Sequence, residues 1–111
     1  MNGADDWSVE CRADGTAVLR GVMRLDSPEA YDRALADVRE RMLAAKGAFT
    51  LDLAEVLLMN SSGIRALGSL VLAAKKASVP LVIRGKAAVP WQKKSVASLQ
   101  PLYPALRIEL S

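Results

Sequence analysis

The sequence predicts a single α/β domain with a mostly parallel sheet and the element order β-β-α-β-α-β-α-β. Three observations carry this reading. Apolar and polar residues alternate near the N-terminus, the period-2 mark of half-buried strands. Farther along, segments with helical spacing alternate with short apolar runs, the pattern of a parallel sheet covered by helices. The chain has 111 residues, the size of one domain, and shows no linker, repeat or low-complexity segment, so residues 1–111 read as one unit.

Each element has a local cause. Trp7, Val9 and Cys11 alternate with Ser8, Glu10 and Arg12, giving a first strand. Ala13-Asp14-Gly15-Thr16 supplies turn chemistry, and Ala17 to Leu25 reads as a second strand that closes an antiparallel hairpin. Ser27-Pro28-Glu29 starts a helix with a capping hydroxyl, a proline in the first turn and an acid that complements the dipole. Tyr31, Leu35, Val38 and Met42 then share one stripe of that helix, which ends before Gly47. Phe49 to Leu53 alternates and leads into Val56-Leu57-Leu58-Met59, an apolar run expected to be buried on both faces of a central strand. A second helix is expected from about Ile64, with the stripe Ile64, Leu67, Leu70, Val71 and Ala74 and with Gly68 allowing close packing on the sheet. Pro80 to Arg84 reads as a short buried strand and Pro90 to about Leu99 as a third helix. Ala105 to Leu110 is a final strand whose Leu106, Ile108 and Leu110 face inward.

Composition narrows the chemistry. The chain has no histidine, which removes Ser-His-Asp triads, Cys-His pairs and histidine-ligated metals. Cys11 is its only cysteine, so no internal disulfide can form, and its place in an alternating strand suits a structural thiol. Met1 to Trp7 lacks the basic-then-apolar layout of a signal peptide, so a cytoplasmic location is expected. The most apolar helical stretch, Ile64 to Ala74, is interrupted by Arg65, Gly68 and Ser69 and is far shorter than the roughly 20 residues of a membrane span. Fifteen Lys and Arg oppose twelve Asp and Glu, for a net charge of +3. Residues 1–60 hold seven basic and eleven acidic residues, or −4, and residues 61–111 hold eight and one, or +7. The basic residues come in pairs without aromatic interleaving, so direct nucleic-acid binding is not expected. Asp52 and Glu55 have no partner base, and Gly85-Lys86 lacks the first glycine of a phosphate loop, so neither a catalytic group nor a cofactor site is expected. Trp91 and Tyr103 suit either an interface or closure of the core around the third helix.

The working site is expected at Asn60-Ser61-Ser62-Gly63, where the central strand gives way to a helix. Two hydroxyls there meet the positive end of a helix, whose free N–H groups and aligned peptide dipoles favour an anion such as phosphate. Asn and Ser are also preferred helix caps, so one of these residues is expected to cap the helix whatever else the turn does.

The element order, together with the segment Leu51-Asp52-Leu53 through Met59-Asn60-Ser61-Ser62-Gly63-Ile64-Arg65-Ala66-Leu67, resembles the STAS family, the sulfate transporter and anti-sigma factor antagonist domains. The likeness covers nearly the whole chain by topology, while about twenty residues carry specific identity. The family pattern is a strand reading D-L-x-x-V, then D-S-S-G-[LI], then an apolar helix. This chain departs from it only at Asn60, which stands where the second acid is usual. The resemblance to stand-alone bacterial members implies a partner-switching regulator of transcription. In that reading a serine kinase of the anti-sigma type phosphorylates Ser62, with Ser61 as second choice, and a PP2C-type phosphatase resets the switch. Asn60, Ser61, Ser62, Gly63, Ile64 and Arg65 would form the partner-binding surface. Two other functions fit the same residues: a constitutive interaction scaffold without a phosphoswitch, or a sensor holding a small anion or nucleotide at the helix start. No enzymatic activity is expected.

Overall fold

The computed structural model describes residues 6–111. The elements are β1 (Trp7–Cys11), β2 (Thr16–Met23), α1 (Pro28–Ala34), α2 (Ala36–Leu43), β3 (Phe49–Met59), α3 (Ser61–Lys76), β4 (Leu81–Gly85), α4 (Pro90–Ala97), a 3-10 turn at Gln100–Leu102, and β5 (Arg107–Leu110). They build one five-stranded sheet in the order β1-β2-β3-β4-β5, with β1 antiparallel to β2 and every later pairing parallel. The expected α/β architecture is therefore present.

Strand order explains the placement of the core. Strands β2 to β5 advance in one direction through successive crossovers, and crossovers of one hand bring their helices to the same face of the sheet. Burial follows that geometry. Leu19, Met23, Phe49, Leu51, Leu53, Val56, Leu81 and Ile83 meet Tyr31, Leu35, Val38, Met42, Leu67, Leu70, Val71 and Val96 in one continuous core. On the opposite face, register aligns Glu10, Val18, Asp52, Arg84 and Glu109 across all five strands. Arg20 bridges Glu10 at 2.9 Å and Glu55 at 3.6 Å, and Arg84 lies 3.8 Å from Glu109. These exposed pairs contribute at most about 1 kcal/mol each, but they keep that face solvated and alternating in sign.

Four features differ from the sequence reading. The first helix is two helices, giving four in all instead of three. Leu35 departs from helical geometry (φ −104°, ψ 6°) between α1 and α2, and the bend keeps Tyr31, Leu35, Val38 and Met42 all buried. The central strand is the single piece expected, eleven residues long, but it carries two bulges that the sequence reading did not include. Val18 and Arg20 face Asp52 and Glu55, and Gly21 and Val22 face Val56 and Leu58, so β3 carries an extra residue at each step. Asp52 Oδ1 accepts the Ala54 N–H at 2.9 Å and fixes the first bulge, a structural role for this carboxylate.

The third difference is that Leu57 and Leu58 are not buried on both faces but 63% and 39% exposed. β4 pairs with β3 only as far as Arg84 opposite Asp52, so the last turns of β3 run past their neighbour. Fourth, Gly68 packs against the 3-10 region rather than the sheet. A Cβ there would meet Leu102 Cδ1 at 3.4 Å and Leu99 Cδ2 at 3.9 Å, both ordinary contacts.

Trp91 and Tyr103 both serve core closure. The Tyr103 hydroxyl donates to the Val79 carbonyl at 3.0 Å, and Trp91 Nε1 donates to the Val56 carbonyl at 2.8 Å. Among the described residues, no helix is long and apolar enough to cross a membrane.

Candidate functional site

The site is assembled where β3 ends. Helix α3 begins at Ser61, earlier than the Ile64 expected from periodicity, because Asn60 caps it: Asn60 Oδ1 accepts the Gly63 N–H at 3.0 Å. A polar capping residue ahead of two serines carries no apolar period, so the first turn of the helix is invisible to a pattern search.

Asn60 does more than cap. Its Nδ2 donates to the Leu25 carbonyl at 3.0 Å, and its Oδ1 lies 2.6 Å from the buried Tyr31 hydroxyl. Tyr31 has one proton to give, and Met23 C=O stands 3.0 Å away as the other acceptor. One amide therefore ties α1, the segment after β2 and the start of α3 together, using donor and acceptor at once. An aspartate of the same shape would accept from Gly63 and Tyr31 but would set a carboxylate oxygen against the Leu25 carbonyl. This explains in physical terms the amide where the resembled pattern has an acid. Burial raises the Tyr31 phenol above its ordinary 10.0, with a backbone hydrogen bond from Leu25 opposing the shift. The phenol is thus held as a neutral donor.

Gly63 owes its place to crowding rather than to a special turn conformation. A Cβ would run into the Met59 side chain and come within 2.7 Å of the Tyr31 hydroxyl. The first turn of α3 is thereby drawn onto the core, while its outer side remains open. Ser61 is exposed, Ser62 half-buried, Gly63 buried, Ile64 half-buried and Arg65 exposed. The six expected site residues are thus the cap and the start of α3, with Gly63 buried beneath its neighbours. Of the two hydroxyls, Ser61 is the more accessible. The first turn carries no acid, so the arrangement suits accepting or recognising an anion.

Two contributors were not singled out from sequence as parts of the site. Tyr31 looked like a stripe residue, yet its hydroxyl is half of the joint with Asn60. Gln92, fully buried on α4, donates to the carbonyls of Leu53 at 2.7 Å and Val56 at 2.9 Å and accepts the Lys86 N–H at 2.8 Å. It fills the fork where β4 stops and β3 continues, and with Trp91 holds the strand that delivers Asn60. A lone glutamine beside lysines gives no such signal in sequence. An open groove of about 550 Å³, lined in part by Trp7, Arg24, Leu25, Asp26 and Arg33, runs beside this joint. A scan against models of known protein families and a search of curated proteins both return no match for this chain.

Proposed function

We propose that the protein is a partner-switching regulator of the anti-sigma factor antagonist type, a single STAS-like domain controlled by phosphorylation at the start of α3. The observation that carries this reading is the hydroxyl pair of exposed Ser61 and half-buried Ser62, held by the Asn60 joint on the first turn of a sixteen-residue helix. The partner is a serine kinase that docks on this turn, and a PP2C-type phosphatase reverses the modification. Exposure adds Ser61 to Ser62 as an acceptor of equal interest.

Magnitudes favour a binding switch over a folding switch. A phosphoserine brings about −1.5 to −2 charge, and at a helix N-terminus it gains only about 0.3–2 kcal/mol, so the fold tolerates it. Burying that charge unpaired in an interface costs several kcal/mol, on the order of a thousandfold in affinity. Release of the partner is the larger effect. Exposed Leu57 and Leu58, just before the turn, supply apolar area for docking.

The scaffold reading draws on the engaged Asn60 amide, which fixes the turn without any modification. Capture from the source cell with wild type, Ser61→Asp and Ser62→Asp, followed by intact-mass analysis after ATP addition, separates the two. A switch gives one added phosphate and loss of the captured protein with an Asp variant. A scaffold gives equal capture by all three and no phosphate.

A further inference from the structure

The sheet ends in two outer strands, β1 and β5, and they lie on sides of opposite charge. Strands β1 to β3 come from the described residues 6–60, with seven basic and ten acidic residues, while α3 to β5 come from residues 61–111, with eight and one. The strand order converts this −3 and +7 into a charge difference across the width of the sheet.

Hydrogen-bond phase shows which groups the edges present. The Arg12 N–H donates to Thr16 C=O at 2.8 Å, so alternation turns Ser8 and Glu10 toward β2 and Trp7, Val9 and Cys11 outward. At the far edge the Ser111 N–H donates to Gly85 C=O and its carbonyl accepts the Ala87 N–H, both at 3.0 Å. Arg107 and Glu109 therefore bond toward β4, and Ile108 and Leu110 present their backbone groups outward.

We propose that copies of this chain associate head to tail, β5 of one adding antiparallel to β1 of the next. A translated copy has the required strand direction, because β1 runs opposite to β2 through β5, and its helices fall on the same face. One register satisfies every constraint. Ile108 opposes Val9 and Leu110 opposes Trp7, all four with outward backbone groups and all four packed against the helix-side core. Arg107 then opposes Glu10, and Glu109 opposes Ser8. Sliding by two residues either way sets Glu109 against Glu10 or Asp6, a like-charge pair that disfavours both alternatives. Pairing β5 with β5 or β1 with β1 would bring together sides of the same sign. The contact is heterologous and does not close on itself, so it grows into linear oligomers. The four-residue length of β5 keeps it weak.

Sedimentation velocity on the whole chain, at about 5–500 µM protein and about 20 or 500 mM salt, tests this, since salt at the upper value screens exposed charge within a few ångströms. The expected result is a mean mass that rises with concentration and falls toward the monomer at high salt. Arg107→Glu should weaken association about tenfold or more, because it creates a like-charge pair with Glu10, and adding Glu10→Lys should restore most of it. Val9→Pro removes an outward N–H that has no partner among the described residues, so it should abolish assembly while leaving circular dichroism unchanged. A monomer under all conditions, an assembly that stops at two copies, or one indifferent to Val9→Pro and Arg107→Glu would overturn the proposal.

Discussion

Replacing Asn60 by alanine removes three hydrogen bonds at once, and their worth can be added from the geometry. Losing the cap on the Gly63 N–H costs about 0.5–2 kcal/mol. Leaving the Leu25 carbonyl without its Nδ2 donor costs about 0.5–1.5 kcal/mol. The Tyr31 hydroxyl can turn to Met23 C=O at 3.0 Å, so its share is at most about 1 kcal/mol. The sum centres on about 2–3 kcal/mol, or a fall in Tm of roughly 10–15 °C for a domain of this size. Asn60→Asp keeps the cap and the tyrosine bond and should lose only about 1 kcal/mol, the Leu25 contact being partly offset by charge at the helix N-terminus. Urea unfolding of the wild type and both variants, with Tyr31→Phe to complete a double-mutant cycle, measures each share. An Asn60→Ala loss under about 0.5 kcal/mol, or no coupling between Asn60 and Tyr31, would refute the idea that this amide is the joint.

Other positions give equally direct outcomes. Gly63→Ala should destabilise by about 1–3 kcal/mol through overpacking against Met59 and Tyr31, whereas Gly68→Ala, with only ordinary contacts, should be neutral or stabilising by up to about 1 kcal/mol in thermal melts. Gln92→Leu should cost about 2–4 kcal/mol in denaturant unfolding, since it leaves the buried Leu53 carbonyl and the partly buried Lys86 N–H without their partner. Ser78 ends α3 with φ 56°, its N–H bonded to Lys75 C=O and the Val79 N–H to Ala74 C=O, so Ser78→Gly should raise stability by about 1 kcal/mol. Tyr31 has a folded pKa raised above 10.0, so its contribution is complete below that pH and is lost as pH climbs through the folded value; Tyr31→Phe should flatten the alkaline limb of a stability profile.

How much of this was legible in the sequence depended on whether a feature had a period. Strand alternation in Trp7 to Cys11 and the stripes of the helices did, and they led to the right order of elements. The break at Leu35 kept every apolar residue of its stripe buried, so no polar residue marked it. The bulges of β3 were hidden because Asp52 and Glu55 drew attention only as acids without a partner base, whereas Asp52 holds the first bulge. Exposure of Leu57 and Leu58 depends on where β4 ends, a fact of pairing between segments distant in sequence. At the site, capping chemistry gave Asn60, Ser61 and Ser62 a location. Their tie to Tyr31 and Leu25 is tertiary and appears only when α1 is brought against α3. The end of α3 was equally silent, because a serine occupies the left-handed position where glycine is the usual signal.

The most direct test of the proposed switch is the affinity of the proposed kinase partner for protein carrying phosphoserine at position 61 or 62, measured by calorimetry against the unmodified chain. The expected result is affinity reduced on the order of a thousandfold for at least one of the two, with the unfolding midpoint of the modified protein nearly unchanged. Equal affinity for all three forms would contradict it.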